Sequence, residues 1–568
     1  MGSVAPFLIF YAGAAIVAVT RGWTRSAVLL AIPVVGAVNL FAMPEGTLST
    51  YHLFDYTLTL VRADRLSMLF GYVFHLVAFI GIVYSLHVRD ATQHVAGVVY
   101  AGSALGAVFT GDLITLFVFW EMLAVSSVFL ILARRTDRAQ AAAMRYLIIQ
   151  VLSGMILLAG VLIRFAETGS VAFDFIGLSG LDDLTGLGAG LIFLAFGIKC
   201  AFPLLHNWLT DAYPEATPTG TVFLSAFTTK VAVYALARGF PGTEVLVYIG
   251  AVMTMFPIFY AVIENDLRRV LGYSLINQIG FMVCGIGLGT ELALNGAVSH
   301  AFAHIIYKAL LFMSMGAVLF RTGKINGSEL GGLYKSMPVT AGLCIVGAAS
   351  ISAFPLFSGF VSKSMVMVAA LEEGHPVVWL ALLFASAGVF HHAGIKIPFF
   401  AFFADDSGIR TREPPMNMLI AMTMAAVICV FIGSYPWVLY SLLPFPVDYV
   451  PYTWAHVLNQ SQLLFFSALA FCMLKLTGLY PPELPGLNID AEWSYRRLLP
   501  RAVRAVVRTL GPLDQALRRL CLSAVDRIIA SVFRHHGPEG ALARSVQAGG
   551  MVFWMIVLLG AYLVLYLV

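Results

Sequence analysis

Runs of about 17 to 25 consecutive apolar residues recur along nearly the whole 568-residue chain, and that is the length a helix needs to cross a hydrocarbon core about 30 Å thick. A backbone in lipid must pair its own amides, so runs of this kind fold as helices. They fall near 5–20, 26–43, 66–86, 94–110, 113–133, 145–166, 187–209, 217–238, 245–263, 272–289, 292–320, 339–366, 376–403, 416–440, 461–480 and 550–568. The expected fold class is therefore all-α, a polytopic membrane protein with about 16 transmembrane helices. Composition agrees: 60% of the residues are hydrophobic and 11% charged, with a mean hydropathy of +0.88, far from the balance of a soluble domain. The first run, Pro6 to Val19, lacks the basic leader and small-residue cleavage site of a signal peptide and is expected to be retained.

Several functions are disfavoured. The 6 cysteines, Cys200, Cys284, Cys344, Cys429, Cys472 and Cys521, form no CxxC pair and lie near no metal-ligand spacing, so neither an iron–sulfur cluster nor a structural zinc is expected. The glycines Gly186, Gly188 and Gly190 open an apolar span with no strand before them and suit close helix packing better than a phosphate loop. No cofactor and no nucleic acid partner is expected. Basic residues favour alternate loops, as in Arg21/Arg25, Arg134/Arg135/Arg138 and Arg321/Lys324/Lys335. The intervening loops carry Asp174/Asp182/Asp183 and Glu372/Glu373, which by the positive-inside rule places both termini outside.

Residues 481–549 differ from the rest, with 10 arginines against 6 acidic residues. Apolar residues at helical spacing from Ala502 to Phe533 make this an amphipathic surface helix. It serves either as a positive-inside loop on anionic lipid or as a brace along neighbouring subunits. A second feature is an internal echo, Ala201-Phe202-Pro203-Leu204 and Ala353-Phe354-Pro355-Leu356, in the seventh and twelfth expected spans. An odd offset in span number makes the two copies run in opposite directions, as in inverted repeats. Proline inside a span breaks the helix, tolerated at membrane depth only against protein or a hydrated cavity. Pro203 and Pro355 are thus candidate helix breaks on an ion path.

The informative residues are the ionisable ones inside spans: Glu121, Lys199, Lys230, His300, His304, Lys308, Lys363 and Lys396. A charge at a helix centre costs about 2.5 to 3.5 kcal/mol on insertion scales, which is hard to reconcile with filler. In a poorly hydrated site the ammonium form of lysine is disfavoured, and a nearby carboxylate restores it. Glu121 beside Lys199 can therefore switch it: a closed pair holds the proton and an open one releases it, with a purely structural ion pair as the alternative. His300, His304 and Lys308 fall at i, i+4 and i+8, along one helical face. Histidine passes a proton through either ring nitrogen, so this ladder suits lateral transfer, whereas a metal site would lack its third ligand. Asp112 feeds the path or caps a helix. His206 and Asp211, just after Pro203, line water or sit in an ordinary loop, and His391 and His392 near Lys396 form a loosely organised second ladder.

With these residues assembled, the chain resembles the antiporter-like proton-translocating subunits shared by respiratory complex I, membrane-bound hydrogenases and Mrp-type Na⁺/H⁺ antiporters. The resemblance rests on Phe119-Trp120-Glu121, on Lys199 with Pro203, His206-Asn207-Trp208-Leu209 and Asp211-Ala212, and on Pro214-Glu215-Ala216-Thr217-Pro218 before Lys230. It extends through Asp266-Leu267-Arg268-Arg269-Val270-Leu271-Gly272-Tyr273-Ser274, Gln278-Ile279-Gly280, the run from His304 to Phe312, and Pro355-Leu356-Phe357-Ser358-Gly359-Phe360 leading to Lys363. These cover about residues 100 to 370. The resemblance implies a core with two inverted five-helix repeats, broken helices and a central axis of lysines. In it Glu121 and Lys199 match the input-side pair, Lys230 the connecting lysine, His304/Lys308 the central relay and Lys363 the terminal proton site. The corresponding divisions are N-terminal helices 1–93, repeats 94–240 and 241–404, C-terminal core helices 405–480, the basic segment 481–549 and a final helix 550–568.

A lysine at position 363 is similar to the D-type component of Mrp antiporters and to some complex I components, and the Asp490-Ala491-Glu492-Trp493 segment to the tails of Mrp and hydrogenase relatives, which together favour the D-type component. The implied function is proton translocation within a multi-subunit Na⁺ or K⁺/H⁺ antiporter of a bacterial cell membrane, with other subunits, the transported ions and the bilayer as partners. A proton-pumping subunit of complex I or a membrane-bound hydrogenase, and a membrane subunit of an inorganic-carbon accumulation complex, are the alternatives.

Overall fold

The computed structural model of the chain describes residues 4–53, 56–178, 186–484, 486, 488–538, 540 and 548–567; Asp182 and Asp183 lie outside them. Two compact units result, Met1–Asn488 and Ile489–Val568. The first opens with α1 (Pro6–Val19) and α2 (Gly22–Phe41), followed by strands β1 (Gly46–Leu53) and β2 (Tyr56–Ala63). These strands pair antiparallel, a hairpin the sequence reading passed over. Its signal was the alternation of Thr47, Ser49, Tyr51 and of Thr57, Thr59, Val61, a period of two rather than 3.6. Then come α3 (Arg65–Ser85) and α4 (Ala91–Phe109).

Two stretches that follow repeat one another. Helix α5 (Leu113–Leu132) starts at Asp112, whose carboxylate accepts from Thr115 N, and α6 (Asp137–Thr168) is a 32-residue helix capped by Thr136 and ended by Gly169 at φ 69°. Asp112 then bridges to Ala172 beyond α6. The chain continues through α7 (Leu187–Cys200), α8 (Asn207–Ala212), α9 (Gly220–Ala226), α10 (Thr228–Gly239) and α11 (Val245–Ile263). Helix α12 (Leu267–Leu288) again starts at a capping aspartate, Asp266. The next, α13 (Glu291–Thr322), is again 32 residues long, capped by Thr290 and ended by Gly323 at φ 69°. Asp266 bridges to Asn326 as Asp112 does to Ala172.

The tetrapeptide echo is also an echo of backbone. Helix α7 stops at Cys200, and Ala201 and Leu204 take φ of 63° and 69° before α8 begins. Helix α14 (Pro338–Ile351) stops in the same way, with Ala353 and Leu356 at 57° and 74° before α15 (Ser358–Glu372). Left-handed conformation costs a residue with a side chain about 1–2 kcal/mol, and such outliers persist where the surroundings over-determine them, commonly at functional sites. The first unit ends with α16 (Pro376–Val389), π-helical turns at Phe390–Ile395 and Phe399–Phe403 around α17 (Lys396–Pro398), then α18 (Met416–Ser434), α19 (Trp437–Tyr440) and α20 (Trp454–Leu476). The second unit holds α21 (Leu499–His536), amphipathic over 38 residues, and the apolar α22 (Ala548–Leu567).

Among the described residues twelve helices are long and apolar enough to cross a membrane, fewer than the sixteen runs in the sequence. Three runs appear as shorter helices, α1, α7 and α14, the last two being the first halves of the broken helices. Helix α4, which opens on Thr92, Gln93 and His94, is also not among the twelve.

Candidate functional site

Lys199 sits in the last turn of α7, fully buried, where the half-helix leaves carbonyls without an intrahelical donor. Trp208 of α8 folds back onto this end, its Nε1 donating at 2.9 Å to Ile198 O, which also accepts from Ala201 N at 3.1 Å. The Lys199 Nζ donates to Trp120 O at 2.5 Å and lies 4.7 Å from the Trp120 ring centre. Glu121 follows Trp120 on α5, and each of Glu121 and Lys199 is the other's charged neighbour. No ion pair within 4.0 Å closes between them, and Glu121 Oε1 is buried without a hydrogen bond. The structure therefore holds this pair open, rather than closed. Room for the carboxylate comes from Gly154 of α6, where any side chain would overlap Glu121 Oε1. Nothing in the local sequence pairs positions 121 and 154; only the packing of α5 on α6 does.

Further buried ionisable groups gather at Lys230, His300, His304, Lys308 and Lys363. Lys230 emerges just after the joint between α9 and α10, where its Nζ donates to Ser225 O at 2.6 Å and to Thr229 Oγ1 at 3.3 Å. On α13, Lys308 Nζ and both ring nitrogens of His304 are buried with no hydrogen-bond partner. His300 Nδ1 is 3.0 Å from Ser362 Oγ of α15, and its Nε2 is 3.4 Å from Tyr307 Oη. The His300 and His304 ring centres are 6.2 Å apart. Tyr307 donates onward to Gln278 Oε1 at 3.1 Å, and Gln278 to Asn277 Oδ1 at 2.6 Å. Sequence reading placed Gln278 in a motif but gave it no role. Lys363 ends this line, buried on α15, its Nζ donating to Ile351 O at 3.2 Å and lying 5.0 Å from the Phe281 ring centre.

These groups feel one another. Lys230 acts on Lys308, His304 and His300, and Lys363 acts on both histidines. None of Lys230, Lys308 and Lys363 is within ion-pair distance of a carboxylate among the described residues. Uncompensated buried cations are costly, and lysine, unlike arginine, can shed its charge. A line of such groups joined by histidines, hydroxyls and amides is chemically suited to pass protons.

The remaining candidates divide. Asp112 is a cap: its carboxylate accepts from Thr115 N and Thr115 Oγ1, both at 2.7 Å, and from Thr59 N of the hairpin at 2.8 Å. Asp211 pairs with Arg145 of α6 through two bonds of 2.8 and 3.1 Å, which ties α8 to α6. His206 is buried against the Phe256 ring, with ring centres 4.7 Å apart. The motif from Pro214 to Pro218 is anchored by buried Arg268, which donates to Pro214 O at 2.9 Å and Ala216 O at 3.1 Å. Lys396 of α17 donates to Val262 O and Glu264 O at 2.6 and 2.7 Å and forms an ion pair at 2.8 Å with Glu483, a partner the sequence did not disclose. His392 is buried beside it with no well-formed hydrogen bond to either ring nitrogen. Among the described residues, no group of three or more His, Cys, Asp or Glu side chains converges as metal ligands would.

Residues 110–390 match the family described as NADH:quinone oxidoreductase/Mrp antiporter, TM. The chain is 34% identical over 337 residues to the N component of the NADH-quinone oxidoreductase of Desulforudis audaxviator, covering 55% of this chain and 67% of that one. It is 33% identical over 315 residues to the D component of the Na⁺/H⁺ antiporter of Alkalihalophilus pseudofirmus, covering 53% of this chain and 63% of that one. A chain from the Mrp complex of Dietzia sp. shares the fold, with a TM-score of 0.65 at 22% identity across 84% of this chain and 95% of that one. Buried lysines, paired helix breaks and these likenesses lead to one conclusion: the chain is a multi-span membrane protein of the NADH:quinone oxidoreductase/Mrp antiporter family.

Proposed function

We propose that this chain is the proton-translocating subunit of a multi-subunit Na⁺ or K⁺/H⁺ antiporter, taking the place of the D-type component in an Mrp-type assembly. The observation that carries the reading is the group of buried lysines with no carboxylate at ion-pair distance among the described residues, Lys230, Lys308 and Lys363, which act on the histidines between them. Their burial has no structural benefit that an apolar side chain could not supply at lower cost. In the mechanism, Glu121 closing on Lys199 holds a proton there. Opening, the arrangement seen here, lets Lys199 deliver it to Lys230, and His304, His300 and their hydroxyl and amide neighbours carry it toward Lys363. Partner subunits supply the cation pathway. The 33% identity to the D component of a Na⁺/H⁺ antiporter supports this host.

A redox-driven pump is the second reading, favoured by the 34% identity to the N component of a quinone oxidoreductase. The two differ in what drives the relay. Everted vesicles carrying the complete native gene cluster, given a pH gradient without any electron donor, separate them. Collapse of the gradient on adding Na⁺, K⁺ or Li⁺, lost in Glu121→Ala, is the antiporter result. Proton movement that requires an electron donor and ignores these cations overturns the antiporter reading in favour of the pump.

A further inference from the structure

Lys396 and Glu483 form an ion pair in which both side chains are nearly withdrawn from solvent, 0% and 6% exposed. The pair lies where the chain departs from regular helix. Two π-helical turns flank Lys396, at Phe390–Ile395 and Phe399–Phe403, and such turns inside helices are frequent at functional sites. Glu483 lies outside the spans, in the irregular segment after α20, and its neighbours Pro481, Pro482 and Leu484 are exposed. Around the pair stand Glu264, Arg269, Lys475 and Asn488. Lys396 donates to Glu264 O, Asn488 donates to the Glu264 carboxylate at 3.2 Å, and Arg269 is 4.0 Å from it. On the inner side, His392 is fully buried four residues before Lys396, with the Gly388 backbone as a polar neighbour.

We propose that His392, Lys396 and Glu483 form a second proton outlet, closed by the segment that follows α20. The proposal rests on the proton-conducting reading above. The transfer is balanced: the Lys396 ammonium gives one proton to the Glu483 carboxylate across their 2.8 Å contact, leaving an amine and a carboxylic acid. Glu483 releases that proton to water at the exposed edge of its segment. His392, reprotonated from the protein interior, returns one proton to the Lys396 amine. A structural ion pair would need the same contact but neither a fully buried histidine beside it nor a side chain able to lose its charge.

The test uses the complete native complex in everted vesicles, with assembly measured on native gels. Lys396→Arg keeps the cation and the ion pair but cannot release its proton, and Glu483→Gln keeps a hydrogen-bond acceptor for the lysine. Transport per assembled complex is expected to fall in Lys396→Arg by the share that leaves through this branch, with the route through Lys363 keeping the remainder. Glu483→Gln should lose transport likewise, and Glu483→Asp should restore part of it with a shifted pH profile. Near wild-type transport in an assembled Lys396→Arg complex overturns the outlet, even if Glu483→Gln fails to assemble. Glu121→Gln runs beside them: if it too transports normally, the conducting reading itself has failed, whereas its loss with a normal Lys396→Arg removes only the outlet.

Discussion

Gly154→Ala tests whether the position of one carboxylate governs conduction. The new Cβ would overlap Glu121 Oε1 and lie 2.6 Å from its Cδ, so Glu121 must turn. It has somewhere to go, since a cavity of about 550 Å³ lies beside it, lined by Val95, Val99, Met122 and Phe129 among others. Overpacking commonly costs about 1–3 kcal/mol, but the displaced group is the end of a flexible side chain, and alanine gains about 1 kcal/mol over glycine inside a helix. Stability should therefore change by less than about 1 kcal/mol. The electrical effect is comparable in size: at an effective dielectric near 20, moving a unit charge from about 5 to about 7 Å from its partner weakens the interaction by about 1 kcal/mol, or about fivefold in the open–closed equilibrium. We expect normal assembly and melting temperature, with cation-driven proton transport in vesicles reduced about fivefold. Wild-type transport in the assembled variant would refute the argument that Glu121 acts from a fixed place. Failed assembly would show that Gly154 is needed for packing instead.

Three further outcomes follow from the same structure. Lys363→Ala, which removes a buried lysine with no carboxylate at ion-pair distance among the described residues, should cut transport to what the Lys396 branch carries while the complex assembles normally on native gels; wild-type transport would remove Lys363 from the path. Asp211→Ala breaks the two bonds to Arg145 and should lower thermal stability by about 1.5–3 kcal/mol, with transport per assembled complex unchanged, and a selective transport loss would return Asp211 to the path. Burial opposes the charge of Asp64, but Arg238 and the Ser67 amide prevail and hold its carboxyl below the usual carboxylate range. A group depressed in the folded state stabilises above its unfolded value, near 3.9, and that stability is lost as pH falls through the lower folded value. Hydrogen-exchange protection at the start of α3 should accordingly fall on acidification below about pH 4, and Asp64→Asn should remove that dependence; unchanged dependence in the variant would rule out Asp64 as its source.

What could be read from the sequence was set by cost. Lysines and histidines inside apolar runs are expensive enough to stand out, and the structure does bury Lys199, Lys230, Lys308 and Lys363. Proline in the repeated tetrapeptide announced both helix breaks, although not that alanine and leucine would occupy the left-handed positions beside it. What the sequence could not disclose is pairing across distance. Asp112 and Asp211 look like channel acids until Thr59 and Arg145 are seen to occupy them. Gly154 is one glycine among 51, and Glu483 stands in a proline-rich stretch that composition groups with the basic segment. The hairpin was legible in its alternation but hidden by the stronger helical signal on either side.

The central claim is that buried lysines conduct by losing and regaining protons, and Lys230 is its sharpest point. It is fully buried, bonded only to Ser225 O and Thr229 Oγ1. The decisive measurement is proton flux per assembled complex in liposomes enclosing a pH-sensitive dye, comparing wild type with Lys230→Arg, which preserves the charge and abolishes its loss. The account predicts that flux falls about a hundredfold; undiminished flux through an assembled Lys230→Arg complex would contradict it.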